Sequence, residues 1–181
     1  MRNVARFLAA CVAASVLALG APAQATPAQT ASVGATVQTA QVTTAKLTKA
    51  QKRKIKAAKK KRKAAKRAAK IVRTAAKYRG TPYRWGGSTP SGFDCSGYVR
   101  YVVKKAVGKS LPRIAGDQMK KGKSVPKGKK RKGDLIGFYN GSYAYHIAIY
   151  AGGGKIWHAP RPGKRVEKVK IWTSAYKVRR I

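Results

Sequence analysis

The strongest constraint on this chain is an abrupt change of composition at Ile71. All three tryptophans and the strand-like apolar runs lie between there and Ile181. That stretch of about 110 residues is sufficient for one hydrophobic core. Residues 46–70 (KLTKAQKRKIKAAKKKRKAAKRAAK) cannot build one, because Ile55 stands nearly alone among alanines. Ala, Lys and Arg favour helix, whereas the unbroken basic run from Lys59 to Lys63 opposes an isolated one. Without an apolar stripe the block cannot insert deeply into a bilayer. It reads as a helix-prone, solvated arm that orders on an anionic surface, with a plain solubility tail as the alternative. Residues 26–45 carry no charge and no sustained period, which predicts a disordered linker.

Residues 1–25 have the order of an export signal. Arg2 and Arg6 precede the apolar residues 7–21, and Ala23-Gln24-Ala25 offers a small-residue cleavage site before Thr26. The apolar run is short for a membrane span, so no stable membrane anchor is expected. The domain boundaries read from the sequence are therefore 1–25, 26–45, 46–70 and 71–181. Lys and Arg number 42 against four acids, a formal net charge of +38. Such imbalance calls for a polyanionic partner: an anionic wall polymer, anionic lipid or nucleic acid. Export argues against nucleic acid.

Within 71–181, Ile71, Val72, Ala75 and Ala76 recur as one helical face, stopped by Arg79-Gly80-Thr81-Pro82. A second helix is predicted from Cys95 to Val107, stopped by Gly108, with Tyr98, Val99, Val102, Val103 and Ala106 apolar and Asp94 as N-cap. Residues 120–133 read as an exposed basic loop. Strands are predicted at 134–139, 145–151, 155–159 and 166–171, with turns at Asn140-Gly141 and Gly152-Gly153-Gly154. Helices followed by hairpin-linked strands predict an α+β domain with an antiparallel sheet.

Cleavage near Ala25 would remove Cys11 and leave Cys95 as a lone thiol in an exported chain. Oxidising compartments favour paired cysteines, so a lone one is a reactive thiol, an intermolecular link or a small buried hydrophobe. Its place at a predicted helix start, among Asp94, Ser96 and Gly97, is polar and approachable. Free N–H groups and the helix dipole there are expected to favour the thiolate.

A nucleophilic cysteine needs a base, and the chain has two histidines, His146 and His158. If residues 152–154 form a three-residue loop, paired numbers sum to 306. His158 then faces Ala148, and both imidazoles share one face, roughly 7 Å apart at Cβ. A two-residue loop would put them on opposite faces. In the first register His146 acts as base and His158 orients it. The competing readings are satisfied sheet histidines, or zinc held by one Cys and two His, for which no CxxC or HxxxH spacing exists.

Several stretches together resemble the NlpC-type cell-wall peptidases. They are Thr81-Pro82-Tyr83-Arg84-Trp85-Gly86-Gly87, Gly92-Phe93-Asp94-Cys95-Ser96-Gly97-Tyr98 and Leu111-Pro112-Arg113. Gly133-Asp134-Leu135, His146-Ile147-Ala148-Ile149-Tyr150 and Trp157-His158-Ala159-Pro160 continue the likeness in the same order. The resemblance implies a papain-like cysteine peptidase domain, with N-terminal helices packed on the antiparallel sheet. It implies cleavage of peptidoglycan stem peptides between γ-D-glutamate and diaminopimelate or lysine, with no metal or cofactor. By the same match Cys95 is the nucleophile, His146 the base and His158 the orienting residue. Tyr83 would help hold the oxyanion, and Asp94, Ser96 and Arg113 would line the substrate cleft. Ile114 and Ala115 stand where the family often has Thr or Ser, and Lys132 where it has proline. No recognised wall-binding repeat precedes the domain, so the basic arm is expected to bind anionic wall polymers instead. A secreted, monomeric endopeptidase is the leading expectation. A non-catalytic wall-binding or polyanion-binding protein, and a same-fold amidase or acyl transferase, are the alternatives.

Overall fold

The computed structural model describes residues 47–181; the expected leader and linker lie outside the described residues. Helix α1 (Lys49–Lys77) opens with a capping box. The Thr48 hydroxyl accepts from the Gln51 N–H, and the Gln51 side chain accepts from the Thr48 N–H. The helix spans about 44 Å at 1.5 Å per residue, and runs through residue 70 without a break. The boundary expected at 70/71 thus falls inside a helix, where burial changes and secondary structure does not. The helix is exposed through Lys66, then buries Ile71, Thr74 and Ala75. Ala76, expected on the buried face, is exposed. It lies about 140° around the helix from Ile71, whereas Ala75 lies about 40° away. Near its end α1 leans on the body: a Cβ at Gly133 would come within 3.0 Å of the Ala68 Cα.

A small hairpin, β1 (Ser88–Thr89) and β2 (Gly92–Phe93), follows. Helix α2 (Cys95–Val107) begins and ends where the sequence predicts, with Asp94 as N-cap and Gly108 left-handed at φ 71°. All five predicted apolar positions of α2 are buried. The Tyr98 hydroxyl donates to the Ala75 carbonyl at 2.9 Å and ties α2 to α1. A short helix α3 (Ala115–Lys120) was not legible in the sequence.

The sheet contains β3 (Lys123–Val125), β4 (Leu135–Asn140), β5 (Tyr143–Gly152), β6 (Lys155–His158), β7 (Glu167–Lys170) and β8 (Tyr176–Arg180). Its order is β3-β8-β4-β5-β6-β7 and every pairing is antiparallel. The basic segment 120–133 is therefore not all loop, since it supplies an edge strand. Alternation divides the sheet's side chains. Leu135, Ile147, Ile149 and Trp157 join the helices in the main core. Ile136, Phe138, Ala148, Tyr150, Ile156 and Val178 form a second cluster. Asp134 anchors the start of β4: Arg180 donates to both of its oxygens at 2.8 and 2.7 Å, and the Arg131 N–H at 2.7 Å.

The β5–β6 hairpin reaches the expected register by another route. Ile149 pairs with Trp157 and Tyr150 with Ile156, each pair summing to 306. Nearer the turn, however, Gly152 pairs with Lys155, leaving a two-residue turn at Gly153 and Gly154. A bulge between Tyr150 and Gly152 restores the parity. Gly153 (φ 58°) and Gly154 (φ 69°) are both left-handed, as a tight hairpin turn matching the strand twist requires.

Candidate active site

An open cleft of about 1650 Å³ contains Tyr83, Asp94, Cys95, Ser96, Arg113, His146 and His158 together. Every site residue expected from the sequence is in it, although they come from a loop, a helix start, a turn and two strands. Cys95 is the first residue of α2, half-buried and free. The backbone N–H groups of Ile147, Ser96 and Cys95 itself act to lower its thiol. Ile147 directly follows His146, so the first turn of α2 is docked against the strand that carries the histidine.

His146 and His158 are both buried. His146 Nε2 is 2.9 Å from His158 Nδ1, with the rings nearly perpendicular. Burial drives both imidazoles down from the usual 6.5, His146 to about 3 and His158 to about 4. For His146 the neighbouring imidazole adds to the effect. Trp172 covers the pair. Its ring stacks on Phe138 at 4.1 Å and lies 5.8 Å from His146 and 5.4 Å from His158.

The electrostatics correct one expectation. The helix start does not yield a resting thiolate, because burial raises the Cys95 thiol above its ordinary value. The N–H groups pull the other way, but the Asp94 carboxylate adds to the rise. With the thiol raised and the imidazoles lowered, the resting proton stays on sulfur.

Asp94 organises the floor of the cleft. Its carboxylate accepts from the N–H groups of Gly97 at 2.7 Å and Gly86 at 3.1 Å, and from the Ser96 hydroxyl at 3.2 Å. Both terminal nitrogens of Arg113 also donate to it, and one donates to Ser96 as well. Burial alone would raise Asp94, but the Arg113 guanidinium, the Gly97 N–H and the Ser96 hydroxyl outweigh it and hold Asp94 below the ordinary carboxylate range. Asp94, expected to line the substrate cleft, receives a guanidinium and two backbone donors on its oxygens and so fixes Arg113 and the helix start. Tyr83 is raised by burial, then by Cys95 and Asp94, and so remains a neutral phenol able to donate.

Two further residues, neither of them among the expected site residues, support this floor. Gln118 of α3, fully buried, donates from Nε2 to the carbonyls of Ser96 and Pro112, both at 2.9 Å. Gly97 lets the Gly86-Gly87 loop cross the first turn of α2, since a Cβ there would lie 2.0 Å from the Gly87 carbonyl oxygen. The Asp-Cys-Ser-Gly spacing held a signal for Gly97; nothing local marked Gln118. Among the described residues, no group of three His, Cys, Asp or Glu is arranged to hold a metal ion.

A thiol at a helix start and a bonded histidine pair are thus carried by an α+β domain whose N-terminal helices pack on a six-stranded antiparallel sheet. Residues 80–180 match the NlpC/P60 family, and the chain belongs to that family. It is 45% identical over 102 residues to the gamma-D-glutamyl-L-lysine dipeptidyl-peptidase of Bacillus subtilis, covering 55% of this chain and 34% of that protein. It is 43% identical over 82 residues to the murein DD-endopeptidase MepS/murein LD-carboxypeptidase of Escherichia coli K12, covering 45% and 44%. The chain thus spans less than half the length of these curated relatives. Among solved structures, the NlpC/p60 domain of the peptidoglycan hydrolase SagA superposes with a TM-score of 0.59 at 38% identity. That match covers 63% of this chain and 98% of that one. The peptidoglycan hydrolase RipB of Mycobacterium tuberculosis gives 0.58 at 32% identity, covering 65% of each chain.

Proposed function

We propose that this protein is a secreted cysteine endopeptidase that hydrolyses peptidoglycan stem peptides, between γ-D-glutamate and diaminopimelate or lysine. One observation carries the reading: Cys95 and the bonded pair His146–His158 meet in a single cleft. The relatives named for γ-D-glutamyl-L-lysine and murein peptidase activity supply the substrate class. His146 Nδ1, the ring nitrogen not engaged by His158, takes the Cys95 proton as sulfur attacks the scissile carbonyl. The oxyanion receives the Tyr83 hydroxyl. His146 then protonates the leaving amine, and water hydrolyses the thioacyl-enzyme with His146 as base. No step calls for a cofactor. Arg113 and Ser96, fixed by Asp94, face the cleft as binding groups for the stem peptide.

The exposed stretch of α1, basic and without an acid, is proposed to hold the enzyme on anionic wall polymers. The Lys59–Lys63 run replaced by glutamines is expected to bind purified walls more weakly at low salt and equally at high salt. Equal binding at low salt would overturn the targeting role.

Mass analysis of digested peptidoglycan tests the main reading. The intact protein should release stem-peptide fragments that a Cys95→Ala variant does not. Identical fragments from that variant would reject the mechanism, and cleavage at the sugar–peptide junction would reassign the enzyme as an amidase.

A further inference from the structure

The chain has four acids among 42 Lys and Arg. Three are joined to a basic side chain: Asp94 to Arg113, Asp117 to Lys120 and Asp134 to Arg180. The fourth, Glu167, follows Lys164 and Arg165 and precedes Lys168 and Lys170. Yet its one ion-pair contact among the described residues is to a histidine, His158, with Oε1 3.9 Å from Nε2. Arg165 donates to the Gly80 carbonyl, Lys168 lies over the Trp157 ring, and Lys170 pairs in register with Lys155 at the far end of the β6–β7 ladder. Arg161 lines the cleft along with His158.

The contact is built into the sheet, because His158 and Glu167 are direct partners in the β6–β7 register. His158 Nε2 is itself anomalous: it is buried and has no hydrogen-bond partner. Such groups are rare and costly in folded proteins.

The tautomers follow from the mechanism. For His146 Nδ1 to accept the thiol proton, His146 must carry its own proton on Nε2. That N–H donates to His158 Nδ1, 2.9 Å away. His158 therefore carries its proton on Nε2, the orphaned atom that faces Glu167. We infer that Glu167 is a positioning residue, accepting the His158 Nε2–H and extending the chain Cys95–His146–His158 by one anion. The inference rests on the function proposed above. A histidine in the third position compensates an imidazolium poorly, and Glu167 supplies the missing negative charge. When the Cys95 proton moves to His146 Nδ1, the positive charge on the pair is stabilised by the carboxylate, and no proton passes to Glu167. The side chain is 48% exposed and free to close the remaining distance. That exposure also makes the effect modest and sensitive to salt.

The test uses the full chain with Glu167→Gln and Glu167→Asp. On purified muropeptides, Glu167→Gln should lower kcat about three- to tenfold with KM unmoved, and Glu167→Asp should recover part of the loss. The deficit should shrink in high salt. Nitrogen NMR of the two imidazoles supplies a readout independent of substrate. The intact protein should show His158 protonated on Nε2, and Glu167→Gln should lower the pKa of the pair further. Unchanged kcat and unchanged imidazole signals in Glu167→Gln would overturn the inference, as would a His158 proton found on Nδ1. If the intact protein cleaved no muropeptide, the proposed function would fail, and the imidazole signals would still decide for or against Glu167.

Discussion

His146 Nε2 and His158 Nδ1 stand 2.9 Å apart, at right angles, beneath the ring of Trp172. The contact sets a ranking of variants. Cys95→Ala and His146→Ala remove the proposed nucleophile and base, and should lower kcat/KM by at least about 10³-fold. His158→Ala removes an orienting contact and should cost roughly 10–100-fold. Steady-state kinetics on muropeptides, with melting curves to establish folding, checks the order.

The buried imidazoles also set a pH dependence of stability. Their folded values lie below the unfolded 6.5, so between the two the unfolded chain binds protons that the native protein does not. The stabilisation is complete above pH 6.5 and declines as pH falls toward 4. At pH 5 the loss should be on the order of 1–2 kcal/mol per histidine. Asp94, also lowered, acts in the same direction at still lower pH. Denaturant titrations from pH 7 to 4 should show this slope, and His146→Ala should flatten it.

Trp172 is 49% exposed yet contacts both imidazoles. Trp172→Ala admits water to the pair and relieves the desolvation that depresses their protonation. Both values should move up toward 6.5. A protonated His146 cannot accept the thiol proton, so the acid limb of the kcat/KM profile should shift to higher pH. The alkaline limb, set by Cys95, should stay in place.

Gly97→Ala should disturb the site through the backbone. The added methyl would meet the Gly87 carbonyl at 2.0 Å, so the 86–87 loop or the start of α2 must move. A loss of about 2–4 kcal/mol in stability is expected. Cys95, two residues earlier, should alkylate at a changed rate. Denaturant melts and iodoacetamide kinetics measure the two effects.

Much of this molecule is written in short stretches. The apolar spacing of α2, its Asp94 cap and its Gly108 stop act within one or two helical turns. They therefore place Cys95 at a helix start without tertiary information. The same-face placement of His146 and His158 was also legible, because it depends only on the parity of the β5–β6 connection. The device that sets the parity was not: a bulge at Ala151 and a two-residue turn give the same register as three loop residues. Helix α3, β3 and β8 were missed because their residues are basic or irregular in pattern, and long-range pairing holds them in place.

The sequence by itself determined the α+β pattern, the lone thiol, the two histidines and the concentration of charge in residues 46–70. Tertiary structure decided the charge state of the site and its neighbours. The helix start favours a thiolate locally, but burial among segments distant in sequence keeps the proton on Cys95 and off the histidines. Strand register likewise brings Glu167 beside His158, and Trp172 reaches the pair from the connection between β7 and β8. Caps and periodicity are local properties of the chain. Desolvation and cross-strand contact arise only when remote segments exclude water together.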